Sequence, residues 1–348
     1  MRSPYDDRPR RSFWRTGVAD SAVGPGAELW RPKFALDRAT RIATAGSCFA
    51  QHIGRALRGK GFTVLDAEPA PGALPPEVAN RFGYGIYSAR YGNIYTVRQF
   101  VQLIEEAYGR LAPAEPVWEK DGRFYDALRP SVELEGLRSP ELVALHRERH
   151  LAAVRGLIEG ADVLVFTLGL TEAWVHRASG TIYPTAPGTI AGSFDPDVYG
   201  FVNLGFDEVR ADFAQLHAAL KAINPGLRFI VTVSPVPLTA TATDDHVLVA
   251  TTYSKAVLRA VAGTVATTLA DVDYFPSYEI VTGAPSRGRF FGDNLRTVTP
   301  EGVATVMATF FAEQDAGDAP LPVTAPASPA STDDDVICED ALLDAFAR

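Results

Sequence analysis

The residues best placed to do chemistry fall in one short turn, Gly46-Ser47-Cys48-Phe49-Ala50. An apolar run ends on Thr44-Ala45 and passes through this turn straight into a helical pattern. Glycine permits the sharp turn. A hydroxyl or thiol at a helix N-terminus sits beside backbone N–H groups without intrahelical partners, a setting that favours an anion. Ser47 or Cys48 in such a place is a nucleophile, although an ordinary turn with serine as N-cap has the same spacing, and cysteine is often a small buried hydrophobe.

Other chemistry-bearing residues follow later apolar runs, and in an open parallel sheet ligands bind outside the carboxyl ends of the strands. Glu172 comes just after Val163–Leu168, as a base, an orienter or a plain surface carboxylate. His246 follows the turn Ser234-Pro235-Val236-Pro237 and precedes Ser254-Lys255. An imidazole there can activate a thiol or hydroxyl and return the proton to a leaving group, oriented by Asp244, Asp245, Asp293 or Glu172; the competing reading is a loop histidine in water. Lys255 and Arg296 offer positive charge for an anionic group or a counter-charge to Glu172. Trp174, Tyr183 and Tyr278 either stack on a sugar ring or line the core. His52, His146, His150 and His217 lie in helical patterns as structural or surface residues, and His176 lies in a loop.

The elements that must hold these residues read as a parallel sheet with crossover helices. Continuous apolar runs at Ile42–Ala45, Thr63–Leu65, Val163–Leu168, Phe229–Val233 and Val272–Phe275 predict strands buried on both faces. Helical periodicity predicts Ala50–Arg58, Val97–Tyr108, Pro140–Ile158, Asp207–Ile223, Thr251–Ala262 and Pro300–Phe311. The expected fold is α/β, a three-layer doubly wound parallel sheet of the flavodoxin-like kind. Residues 1–40, rich in Pro, Arg and aromatics, read as an arm packed on a 41–315 domain, and Ala178–Gly205 reads as a long loop able to act as a lid. Residues 316–335, dominated by Ala, Pro, Ser, Thr and Asp, read as a disordered linker. Residues 336–348 resume helical apolar spacing, and Val336–Phe346 is a candidate docking segment for a protein partner.

Composition narrows the function classes. The 348 residues are 47% hydrophobic and 22% charged, enough apolar material for a real core. A formal net charge of −9 argues against a wide phosphate-binding surface, so nucleic acid is not an expected partner. Met1–Arg15 is polar and arginine-rich, unlike a secretory signal, and no apolar run approaches the ~20 residues of a membrane span, so the expected compartment is cytoplasmic. Only Cys48 and Cys338 occur, which excludes a disulfide framework and a cysteine zinc site, and no cluster has metal-ligand spacing. No cofactor is expected.

Gly46-Ser47-Cys48-Phe49-Ala50 resembles the motif of the GSCFA-domain family, grouped with the SGNH/GDSL hydrolases. Further matches are Gly83-Tyr84-Gly85 through Tyr91-Gly92-Asn93-Ile94-Tyr95, Thr167–Trp174, Thr232-Val233-Ser234-Pro235-Val236, Tyr253-Ser254-Lys255 and Tyr274–Glu279, so the likeness spans about Trp14 to Phe311. It implies an SGNH-hydrolase-type fold with chemistry in four blocks. Laying the first block on Gly46-Ser47-Cys48 puts Cys48 at the nucleophile, with Ser47 as the alternative. The second implies an oxyanion donor at Gly92, followed by Asn93, with Gly85 second. The third falls on Gly169-Leu170-Thr171-Glu172, with Thr171 replacing the usual asparagine. The fourth, Asp-x-x-His, is broken: Asp293 is followed by Asn294-Leu295-Arg296, and no histidine follows His246. The resemblance implies an esterase or O-acyltransferase acting on an ester-bearing small molecule or glycan, with oxyanion donors near Gly46, Gly92 and Gly169. The missing histidine leaves a non-catalytic carbohydrate- or partner-binding protein as the alternative.

Overall fold

The computed structural model describes residues 2–314 except 22, 23 and 73. The expected linker at 316–335 and the docking segment Val336–Phe346 lie outside the described residues. The described chain divides into two compact units, 37–274 and 2–36 with 275–314.

The larger unit runs β1 (Ile42–Gly46), α1 (Phe49–Gly59), α2 (Pro76–Arg81), α3 (Val97–Ala107), β2 (Val117–Lys120), β3 (Arg123–Asp126), α4 (Pro140–Gly160), β4 (Val163–Leu168), β5 (Glu172–His176), β6 (Ile182–Tyr183), β7 (Tyr199–Asn203), α5 (Phe206–Ile223), β8 (Arg228–Val233), α6 (Val247–Thr268) and β9 (Val272–Tyr274). β1, β4, β8 and β9 form one parallel sheet in that order. β1 and β4 are buried along their whole length, which is why their sequences run apolar without alternation.

The predicted strand Thr63–Leu65 is reduced to one bridge, Val64 beside Ile42, held by Ile42 N–H to Thr63 O (2.9 Å) and Leu65 N–H to Ile42 O (2.8 Å). It still lies outside β1, so the strand order reverses between β1 and β4, the point at which doubly wound sheets open their ligand crevice. α1 packs on β1 and β4, while α3, α4, α5 and α6 pack on one another. The expected α/β fold is observed.

Two features depart from expectation. Ala178–Gly205 is not an unstructured lid, because β6 and β7 flank β5 in a three-stranded antiparallel sheet of order β6-β5-β7. A hairpin, β2 with β3, was also unforeseen; it turns through Asp121 and Gly122, both at positive φ (51° and 72°).

Behind the sheet edge lies a buried ion network. His150, fully buried on α4, meets Glu68 (Nδ1 to Oε2, 2.7 Å), and Glu68 also accepts from the Arg90 N–H (2.6 Å). Arg129 donates to Asp126 (2.7 Å) and to Arg90 O (2.9 Å), and Arg147 pairs with Glu106. These bonds fix the backbone at Arg90, from which Tyr91 reaches across to Thr44 O on β1. Burial, with help from Arg129, pushes the His150 imidazole down to about 4. Burial raises the Glu68 carboxyl, but His150, Arg129 and the Arg90 N–H outweigh it and leave it at about 2.

The folded state therefore resists protonation that the unfolded chain accepts. Stability from this pair is complete above the ordinary imidazole value of 6.5, falls as pH drops from there toward about 4, and falls again between the ordinary 4.5 of Glu68 and about 2. Thermal unfolding from pH 7.5 to 4.5 checks this. The midpoint of wild type should fall more steeply below pH 6.5 than that of His150→Gln, and parallel curves would contradict it.

The smaller unit contains α7 (Ser277–Thr282) and α8 (Pro300–Gln314). Trp30 packs its ring on Phe275 and Phe310 (centroids 5.0 and 5.1 Å), and Leu36 N–H donates to Gln314 Oε1 (2.8 Å). Asp293 and Arg296 belong to this unit, as does Tyr278.

Candidate active site

The turn after β1 is shaped by Gly46, whose φ of +134° is open only to glycine, and whose place would put a Cβ 2.3 Å from Thr167 O. Ser47 follows, 3% exposed, with its N–H donating to Thr167 O (3.2 Å) and its Oγ buried without a hydrogen-bond partner. Cys48, 5% exposed, is the N-cap residue of α1. The thiol thus stands at the helix entrance, while the Ser47 side chain points into packing against Gly169, where an added Cβ would lie 2.8 Å from Ser47 Cβ.

The loop at Gly92–Tyr95 is laid across this turn. Ile94 N–H donates to Gly46 O (2.9 Å), and Tyr95 O accepts from both Gly169 N–H (3.2 Å) and Leu170 N–H (2.9 Å). Gly92 has φ +67°, so the turn needs a glycine whatever else it does. Asn93 is buried, its Oδ1 accepting from the Tyr87 hydroxyl, which accepts from Gln51 on α1 (3.2 Å). Gly46 through Ile94, Ser47 through Thr167 and Gly169 through Tyr95 are thus one bonded constellation at the β1/β4 reversal.

α6 braces the third side. Ser254 Oγ accepts from the Thr171 N–H (3.1 Å), and the Lys255 ammonium, 2% exposed, donates to Gly169 O (2.7 Å). Lys255 is expected to meet an anionic substrate group or to counter Glu172; one bond of its ammonium goes to the backbone of the 169–171 turn. The sequence signal for this role was a lysine in the middle of an otherwise apolar helix face. Lys255→Met should cost about 1.5–3 kcal/mol in chemical denaturation, the range for a hydrogen bond to a charged group, and an unchanged midpoint would contradict the bracing role.

Three expected donors are engaged elsewhere. The Gly169 N–H serves Tyr95 O, the Thr171 hydroxyl donates to Asn203 Oδ1 on β7 (2.7 Å), and the Ser47 N–H serves Thr167 O. The Gly169 N–H and the Thr171 hydroxyl, both expected to face an oxyanion, have partners within the protein. His246 is also placed differently from expectation. It is exposed and caps α6, its Nδ1 accepting from Leu248 N–H (3.2 Å), so the capping bond ties up the ring nitrogen's lone pair. His52, read as structural, sits one helical turn after Cys48, beside Phe49 (centroids 5.6 Å), and burial and the neighbouring Arg55 lower it to about 4, keeping it neutral.

Glu172 opens β5 and is partly buried, accepting from the Thr241 hydroxyl (2.7 Å) and Ala242 N–H (3.4 Å). Burial raises its carboxyl above the ordinary range against these two bonds. It lines a cavity of about 220 Å³ together with Leu170, Trp174, Thr185 and Leu238. Tyr183 is wholly buried core. Among the described residues no group of three or more His, Cys, Asp or Glu is arranged to hold a metal ion, and no helix is long and apolar enough to cross a membrane.

The GSCFA family model matches residues 41–310. No curated protein matches. One similar solved structure is a carbohydrate esterase family 3 protein from Talaromyces cellulolyticus, 10% identical, with 78% of this chain and 94% of that chain covered and a TM-score of 0.34. With the match running from the first strand of the sheet to the last described helix, the chain belongs to the GSCFA family.

Proposed function

We propose that this protein is an ester-directed enzyme of SGNH type, an esterase or O-acyltransferase, working through a covalent intermediate on Cys48. The supporting observation is the bonded constellation itself: three segments far apart in sequence meet at the strand reversal around a thiol at a helix entrance. The Cys48 sulfur attacks the ester carbonyl, the alcohol departs with the thiol proton, and a thioester remains. Water or an acceptor hydroxyl then attacks the thioester, gives its proton up and releases the thiol. His52, neutral and four residues along the same helix, is the proposed carrier of that proton, because helical side chains lean toward the N-terminus and so toward residue 48. The cavity at Glu172 and Trp174 receives one arm of the substrate.

A second reading is favoured by the engaged donors. With the Gly169 N–H, Thr171 hydroxyl and Ser47 N–H all bonded internally, the site suits a binding protein that keeps the pocket without turnover. Rapid mixing with p-nitrophenyl acetate separates the two. The enzyme releases a burst of nitrophenol of one equivalent per chain and gains one acetyl group by intact mass; a binding protein gives neither.

A further inference from the structure

We propose that the Glu172–Trp174 cavity is a subsite for a single neutral polyhydroxylated ring, a pyranoside, whose hydroxyls bond to Glu172 and whose C–H surface lies along Trp174. It rests on the reactive-turn reading only for what the ring is attached to.

Glu172 and Trp174 are two apart on β5, so they stand on the same face of the strand about 7 Å from each other, the scale of one six-membered ring. Trp174 is held in place by edge contacts with Phe194 (5.3 Å, 80°) and Phe201 (5.7 Å, 60°), so its indole is a fixed wall rather than a mobile side chain. At about 220 Å³ the cavity falls below the roughly 300–1,000 Å³ of drug-sized ligand sites, which fits one ring and not an oligomer.

The polar groups are few and convergent. The Glu172 carboxylate accepts from Thr241 and Ala242 on one side, which fixes its orientation and leaves further lone pairs for a ligand donor. Thr185, 7% exposed, lines the same cavity without presenting its Oγ1 to it. No Lys, Arg or His lines the cavity, which removes anionic ligands from the candidates, and the carboxylate removes a plain hydrocarbon chain.

The test uses full-length Cys48→Ala protein, so that binding is read apart from turnover. Methyl glucoside, galactoside, mannoside and N-acetylglucosaminide are titrated by calorimetry and by saturation-transfer NMR, alongside tetramethylammonium and hexyl acetate. At least one pyranoside should bind, and Glu172→Gln should weaken it about tenfold or more while the unfolding midpoint holds. Trp174→Ala should abolish binding, but because it touches the core the conservative Glu172 variant decides. Binding of tetramethylammonium or hexyl acetate in place of every pyranoside, or pyranoside affinity indifferent to Glu172→Gln, overturns the proposal. Pyranoside binding together with a wild type that shows no nitrophenol burst would leave this subsite standing and sink the reactive-turn reading instead.

Discussion

Cys48→Ala is expected to lower ester turnover by about 10³-fold or more while leaving the fold intact. A covalent mechanism loses its intermediate outright with its nucleophile, and losses of that order are typical when a nucleophile is deleted. The fold should survive because the residue is small, caps α1 without a side-chain capping bond and is replaced by a good helix former. Ser47→Ala forms the contrast. Its hydroxyl is buried and makes no hydrogen bond, so removing it relieves an unsatisfied group, and stability should rise by up to about 1 kcal/mol with turnover changed only a few-fold. Steady-state kinetics with p-nitrophenyl acetate and urea denaturation on the same preparations check both. A Ser47→Ala enzyme as dead as Cys48→Ala would mean that the hydroxyl is the reactive group.

Gly46→Ala should be the most damaging substitution at the site. At φ +134° an L-residue is strained by about 1–3 kcal/mol, and its Cβ would lie 2.3 Å from a backbone oxygen of β4 that cannot move without breaking the sheet. Overpacking adds a similar amount, so a loss of about 3–6 kcal/mol is expected, enough to leave little folded protein. Gly156→Ala is the control. Gly156 is in mid-α4 with nothing within 4 Å of a built Cβ, and alanine there should stabilise by up to about 1 kcal/mol. Urea midpoints read both, and equal effects at the two positions would remove the argument that the turn demands glycine.

The sheet was legible in the sequence because its strands are buried on both faces. β4 reads as one unbroken apolar run and was placed to the residue, while β1, β8 and β9 were placed within one residue at each end. The edge segment Thr63–Leu65 was over-read: it has strand composition but only one bridge, since the chain turns away after Leu65. β5, β6 and β7 were missed for the opposite reason. They are two to five residues long, only partly buried in β5 and β7, and separated by Gly- and Pro-rich turns, so their pairing rests on contacts between segments that no local pattern carries.

The site was legible to the same depth. That Gly46, Ser47, Cys48 and Gly169 lie near one another followed from each lying beyond a strand, whereas Gly92 entered only through the family resemblance; in the structure Ser47 lies against Gly169 and the Gly46 carbonyl accepts from Ile94 N–H. Which donor serves which acceptor did not follow. The commitment of the Gly169 N–H to Tyr95, of the Thr171 hydroxyl to Asn203 and of Lys255 to Gly169 O depends on angles of approach between elements up to 86 residues apart. His246 was assigned to the sheet edge by its place after β8, and it does precede α6. Its ring, however, closes the helix N-terminus, a role histidine seldom takes and the sequence did not announce.

The central claim is that a nucleophile stands at residue 48, and the most direct measurement is adduct mapping. Wild type, Cys48→Ala, Ser47→Ala and His52→Ala are treated with an acyl-directed fluorophosphonate and with iodoacetamide, digested, and sequenced by tandem mass spectrometry. The account predicts iodoacetamide modification of Cys48 in folded wild type and Ser47→Ala, slowed in His52→Ala and absent in Cys48→Ala. An adduct on Ser47 instead, or a Cys48 that reacts only after denaturation, would contradict it.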